Sequence, residues 1–259
     1  MKLQRSLPAI LALCTLAAAP LHAVTGRDVM ENVEDRPHGE TLHTLVSLDL
    51  VSADGEARNR VIETWSMDEN DLLRTIVVFH RPASVEGTRF LVRENPDRDD
   101  DQWIYLPALK RVRRISASEG GTSFMGTDFT YDDLKTRDLD QDTHTLLGKE
   151  TFQGRDCHVV ESAPVDPKSS QYSRRVQWVP EDIWVPAKIE FYDREGGLLK
   201  VYTVHKLDQV QGYWTPLAGT MENVQTGHAT RMEVRKLRYN EELDPGLFTT
   251  RFLESGRIR

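Results

Sequence analysis

The sequence predicts a mainly β protein built on one large antiparallel sheet, strongly curved or nearly closed. Three observations lead there. Roughly a dozen short apolar or alternating runs are each bounded by Gly, Pro, Asn or Asp turns, helical periodicity is scarce, and several runs are apolar on both faces. A flat open sheet of that many strands is unusual, so the strands must curl around a core or a ligand.

The first 23 of the 259 residues read as an export leader. Lys2 and Arg5 precede the apolar run 7–21, and Ala23 offers a small residue for cleavage. That run is shorter than the ~20 residues that span a bilayer, and no later segment approaches it. The expected mature chain is residues 24–259, taken as one domain. The whole chain has a formal charge of −8; the leader carries two basic residues and no acid, so the remainder stands at −10. Such a balance disfavours nucleic acid.

Thr25 and Asp28 precede Val29, Met30 and Val33, a spacing that predicts a short capped helix. Residues 128–135 suit a second helical turn. Leu42, Thr44, Val46, Leu48 and Leu50 alternate with more polar neighbours, and Ala53-Asp54-Gly55-Glu56 supplies a hairpin turn into 58–67. Runs at 72–80, 88–93, 102–106 and 111–115 follow, separated by Pro82, Asn95-Pro96-Asp97 and Pro107. The second half repeats the rhythm at 145–152, 157–162, 174–179, 183–192, 198–206, 218–224 and 229–237. Asp193-Arg194-Glu195-Gly196-Gly197 is its clearest turn.

Reactive chemistry is sparse. Cys14 falls in the leader, where bulky Leu13 argues against lipidation, which leaves Cys157 alone and reads it as a small buried apolar residue. The histidines at 38, 43, 80, 144, 158, 205 and 228 never fall within four residues of one another, so no metal site is expected. The glycine-rich stretch 120–126 lacks the Lys-Ser/Thr ending of a phosphate loop, and Ser123 lies outside a Gly-x-Ser-x-Gly elbow. Asp128, Asp132 and Asp133 read either as caps or as acids that folding joins to a histidine in a hydrolase. No cofactor is expected.

The most informative segment is 101–133. Trp103 and Tyr105 point to one side of a strand and Ile104 and Leu106 to the other, so both faces are apolar. The block Trp103-x-Tyr105-Leu106-Pro107-Ala108-x-Lys110-x-Val112-Arg113-Arg114-Ile115 continues into Ser-Phe-Met-Gly-Thr-Asp-Phe-Thr-Tyr-Asp-Asp at 123–133. Tyr213-Trp214-x-Pro216 and Met221 lie farther on. In these motifs the chain resembles the outer-membrane lipoprotein-sorting proteins, the LolA-like periplasmic carriers. The resemblance implies a half-open barrel around an apolar cavity, lidded by short helices, that shields acyl chains crossing the periplasm. It implies lipid or lipoprotein acyl chains as ligands, an inner-membrane transporter and an outer-membrane acceptor as partners, only transient membrane contact, and no catalysis.

A carrier of this kind needs apolar walls, because each methylene hidden from water is worth ~0.8 kcal/mol. Candidate lining residues are Trp65, Phe79, Phe90, Trp103, Tyr105, Phe124, Met125, Phe129, Trp178, Phe191, Tyr202 and Trp214; the same residues would serve a closed core equally well. Segment 116–127, with its glycines around Phe124-Met125, is either a gate or a plain connection. Lys110, Arg111, Arg113 and Arg114 either contact anionic headgroups or an acidic partner, or pair with the acidic run 97–101. The other reading of the whole chain is an accessory module that docks on an envelope transporter or assembly machine without carrying lipid.

Overall fold

The computed structural model describes residues 23–258, so all of the expected leader but Ala23 lies outside the described residues. Thirteen strands form one antiparallel sheet. They are β1 Thr41–Val51, β2 Ala57–Asp68, β3 Leu73–Arg81, β4 Arg89–Arg93, β5 Asp101–Leu106, β6 Arg111–Arg114, β7 Asp142–Phe152, β8 Arg155–Pro164, β9 Arg174–Pro180, β10 Lys188–Tyr192, β11 Leu198–Val210, β12 Tyr213–Asn223 and β13 His228–Tyr239. Each run expected from the sequence has its strand. The run at 183–192 starts late, since Trp184 adopts a left-handed φ of 54° and only Lys188–Tyr192 pairs.

The spatial order is β6-β5-β4-β3-β2-β1-β13-β12-β11-β10-β9-β8-β7. The chain steps outward hairpin by hairpin to one edge, crosses through residues 115–141 to the opposite edge, and steps back until β13 pairs with β1. The edge strands β6 and β7 do not pair, so the barrel is open.

The crossing segment, here called the strap, shows how strongly the sheet curls. Gln102 on β5 donates to the Tyr131 carbonyl at 2.7 Å, and Asp133, two residues on, is bonded to Lys200 of β11 at 2.7 Å. In a flat sheet β5 and β11 would stand seven strand spacings apart, roughly 34 Å. Two residues of strap and two side chains reach about half of that. The sheet therefore wraps until these strands face each other.

Residues opposite one another in an antiparallel ladder share a face. The register Ile62↔Phe79, Val77↔Phe90, Phe90↔Ile104 defines the inner face, which the strap crosses. There Phe124, Tyr131 and Ile115 of the strap bury Val77, Phe79, Phe90, Val92 and Ile104. On the outer face of the same strands the C-terminal helix α2, Thr250–Ser255, and the 3-10 turn Pro245–Phe248 cover Ile76 and Leu91 with Leu247, Phe248, Phe252 and Leu253. The six residues of α2 are too few to show helical periodicity in the sequence. Its signals are local: Asp244 caps a turn with Pro245 at its start, Thr249 accepts from the Phe252 amide, and Gly256 closes the helix at φ 65°.

Helix α1, Gly26–Glu34, is the one expected from Thr25 and Asp28, which form a reciprocal capping box. Val29, Met30 and Val33 pack on Val160 and Val179 at the other end of the sheet. A Cβ at Gly26 would stand 2.7 Å from the His144 carbonyl, so only glycine lets the helix start this close to β7.

Candidate functional site

Between the strap core and α1, the inner face of β9–β12 is not filled by side chains. A cavity of about 360 Å³ lies there, within the usual ~300–1,000 Å³ of small-molecule sites. Its floor is Ile189 and Phe191 of β10, Tyr202 of β11 and Met221 of β12, and Phe129 of the strap lies over it. Phe129 meets Tyr202 edge-on with ring centres 6.3 Å apart, and Tyr172 packs on Phe191 at 5.0 Å. Burial pushes the Tyr202 phenol up to about 12, and it stays a neutral, largely apolar surface.

The strap is tied over this floor by buried polar bonds. Lys200, 3% exposed, donates to Asp133 Oδ2 at 2.7 Å and to the Asp128 carbonyl at 3.0 Å. The Tyr172 hydroxyl donates to Asp133 Oδ1 at 2.7 Å, and burial with the adjacent carboxylate holds that phenol well above its ordinary range. Asp128 Oδ2 takes a bond from Thr230 and one from His228 Nδ1, each at 2.7 Å. The folding does therefore bring one of the three aspartates to a histidine. Its geometry is that of a fastening: Asp128 is also held by its backbone amide on Thr230, and among the described residues the His228 ring bonds only this carboxylate. Asp132 pairs instead with Lys135 at 2.6 Å.

One side of the cavity is strongly charged. Arg137 and Arg175 both clasp Asp142, whose side chain is 2% exposed, so neither cation is spare. Arg98 holds Asp101 and draws that carboxyl down to about 2. Its neighbour Asp100 moves the other way, to about 6, because burial disfavours its charge.

The twelve candidate lining residues divide among four places. Phe129, Phe191 and Tyr202 line the cavity. Phe79, Phe90 and Phe124 form the closed core under the strap, with Met125 at its margin. Trp65, Trp103 and Tyr105 lie on the outer face beneath α2, where Arg89 stacks on Tyr105 at 4.4 Å and His43 on Trp65 at 5.0 Å. Trp178 packs with Cys157, Val159 and Val176 on the outer face of β8 and β9 and donates to Glu150, while Trp214 lies 5.4 Å from the Arg155 guanidinium. Ile189, Met221 and Tyr172 complete the apolar and aromatic part of the cavity lining. Ile189 and Tyr172 carry no motif that singles them out; only the strand register brings them together.

The basic run divides as well. Arg113 pairs with Glu119 at 2.6 Å and Arg114 with Asp101, whereas Lys110 and Arg111 are exposed and have no carboxylate partner among the described residues.

Solved structures share this fold. A LolA superfamily protein from Nitrosomonas europaea superposes with a TM-score of 0.69 at 23% identity, over 89% of this chain and all of that one. A DUF1329 family protein from Desulfovibrio piger matches at TM-score 0.84 and 30% identity, covering 88% of this chain and 97% of its own. A domain from Vibrio parahaemolyticus named for outer membrane lipoprotein sorting matches at 0.83 and 33%, covering 88% and 98%. A family model described as an uncharacterized protein matches residues 72–255, and no curated protein sequence matches. The chain belongs to the DUF1329 family and to the family of the outer membrane lipoprotein-sorting domain, and it shares its fold with the LolA superfamily protein.

Proposed function

We propose that this protein is a periplasmic carrier that holds an acyl chain of a lipoprotein or another lipid in the cavity beneath the strap and passes it toward the outer membrane without covalent chemistry. The observation that carries this reading is the cavity over Ile189, Phe191, Tyr202 and Met221, which leaves an apolar floor beside a half of the sheet whose two faces are packed by the strap and by α2. Each methylene placed there would contribute ~0.8 kcal/mol. The leader expected at 1–23 supplies export, and the lipoprotein-sorting relatives supply the compartment.

The test is native mass spectrometry of residues 24–259 purified from the periplasm without detergent, followed by denaturation and identification of whatever is released. A phospholipid or acylated-peptide adduct is expected. Ile189→Asp, which puts a charge on the cavity floor, should abolish it, and Leu147→Asp, at a side chain already 55% exposed, should not. A bare polypeptide mass together with no binding of a fluorescent fatty acid would overturn the proposal.

A further inference from the structure

The most exposed apolar tip of the β3–β6 region carries cations that have no carboxylate partner among the described residues. The β5–β6 hairpin turns through Pro107–Leu109, and Lys110 closes it at a left-handed φ of 47°. This projects Leu109 outward with 65% of its surface exposed, the largest value among the big apolar side chains described. Lys110 and Arg111 follow it immediately.

Two other segments meet this hairpin. A side chain at Gly87 would touch Pro107 at 3.4 Å, which places the β3–β4 turn, led by exposed Arg81, against it. Arg89, stacked on Tyr105 one residue before the end of β5, donates to the Leu253 and Glu254 carbonyls and so sets the end of α2, followed by exposed Arg257, beside the same tip. Arg81, Lys110, Arg111 and Arg257 have no carboxylate partner among the described residues; Glu86 and Glu254 are the exposed acids of these segments. The surplus is positive on a chain of net charge −8.

We propose that this tip docks the protein on an anionic phospholipid bilayer, with Leu109 entering the interface and Lys110 and Arg111 facing lipid phosphates. The choice of occupant follows from charge complementarity. A cationic turn led by a bare leucine suits a surface that is anionic outside and apolar just beneath, where each cation near the headgroups adds about fivefold to partitioning. The proposal stands apart from the cavity reading: the tip lies on hairpins of the first half of the sheet and uses none of the cavity-lining residues.

The test is co-sedimentation of residues 24–259 with vesicles of phosphatidylcholine and phosphatidylglycerol at three to one, against phosphatidylcholine alone, at low and high salt. Binding is expected on the anionic vesicles and should fade with salt. The pair Lys110→Gln and Arg111→Gln should weaken it about 30-fold, and Leu109→Ser should weaken binding to the anionic vesicles while leaving its salt dependence. The pair Lys206→Gln and Lys236→Gln, of equal charge change on exposed strand positions elsewhere, should leave it within about threefold. Equal binding to both vesicle types, no binding at low salt, or equal losses from the two pairs would overturn the proposal. So would a proteinaceous neighbour lost on Lys110→Gln and Arg111→Gln while vesicle binding is absent.

Discussion

The two halves of the sheet treat their apolar surface differently. Strands β2–β6 are covered on both sides, by the strap within and by α2 and the turn Pro245–Phe248 without. Strands β8–β12 are covered only in part: α1 packs on Val160 and Val179, and the floor around Ile189 and Tyr202 faces open space. One half is thus a closed core that can hold a shape, and the other keeps apolar surface available for something that is not part of the chain. The strap belongs to both, packing Phe124 into the first half and bonding Asp128 and Asp133 to the second.

The widest separation between the halves should come from truncating their side chains. Phe90→Ala, at a fully buried ring touching Phe124 and Tyr131, is expected to cost about 4 kcal/mol in urea unfolding. Ile189→Ala, already beside empty space, should cost about 1 kcal/mol. Equal losses would mean that the cavity wall packs as tightly as the core and would end the contrast.

The fastening of the strap comes next. Asp133→Asn leaves the buried Lys200 ammonium without its carboxylate and is expected to cost about 3 kcal/mol. Adding Lys200→Met should recover much of this, since the pair is then absent from both sides. If the single change is silent, the strap is held by the packing of Phe124 and Tyr131 and by the bonds of Asp128 and Gln102, without the Lys200–Asp133 pair.

A smaller, pH-dependent effect sharpens the picture of the charged side. Burial raises Asp100 to about 6, above the ~3.9 of an unfolded aspartate, so the folded state binds its proton more tightly and loses stability as pH climbs from about 4 through 6. Asp100→Asn should therefore gain about 1–2 kcal/mol at pH 8 and nothing below pH 4 in thermal melts at the two pH values. A gain that persists at pH 4 would assign the effect to packing. Smallest of all, Thr25→Ala removes the reciprocal cap of α1 and should cost about 1 kcal/mol, read as earlier hydrogen exchange in residues 26–34.

Local periodicity carried most of the fold. Alternation and turn residues located all thirteen strands, and Thr25 with Asp28 located α1, because these signals act between neighbours in the chain. Helix α2 escaped because six residues hold too little periodicity, although Thr249 and Gly256 bracket it. The motif at 103–133 named the family, yet it could not separate cavity from core. Trp103 and Phe124 stand in one motif and end on opposite faces of the sheet, while Phe129, five residues past Phe124, reaches the cavity.

By itself, then, the sequence determined the antiparallel meander, the apolar character of both strand faces and the family. Only the tertiary structure decided which apolar side chains are spent on each other and which remain open. It also decided that Lys200 meets Asp133 sixty-seven residues away, that His228 meets Asp128, and that Arg113 and Arg114 find carboxylates while Lys110 and Arg111 find none among the described residues. The physical reason is that burial and pairing depend on sheet curvature and on the path of the strap, which sum small twists over thirteen strands and leave no trace in any short stretch of chain.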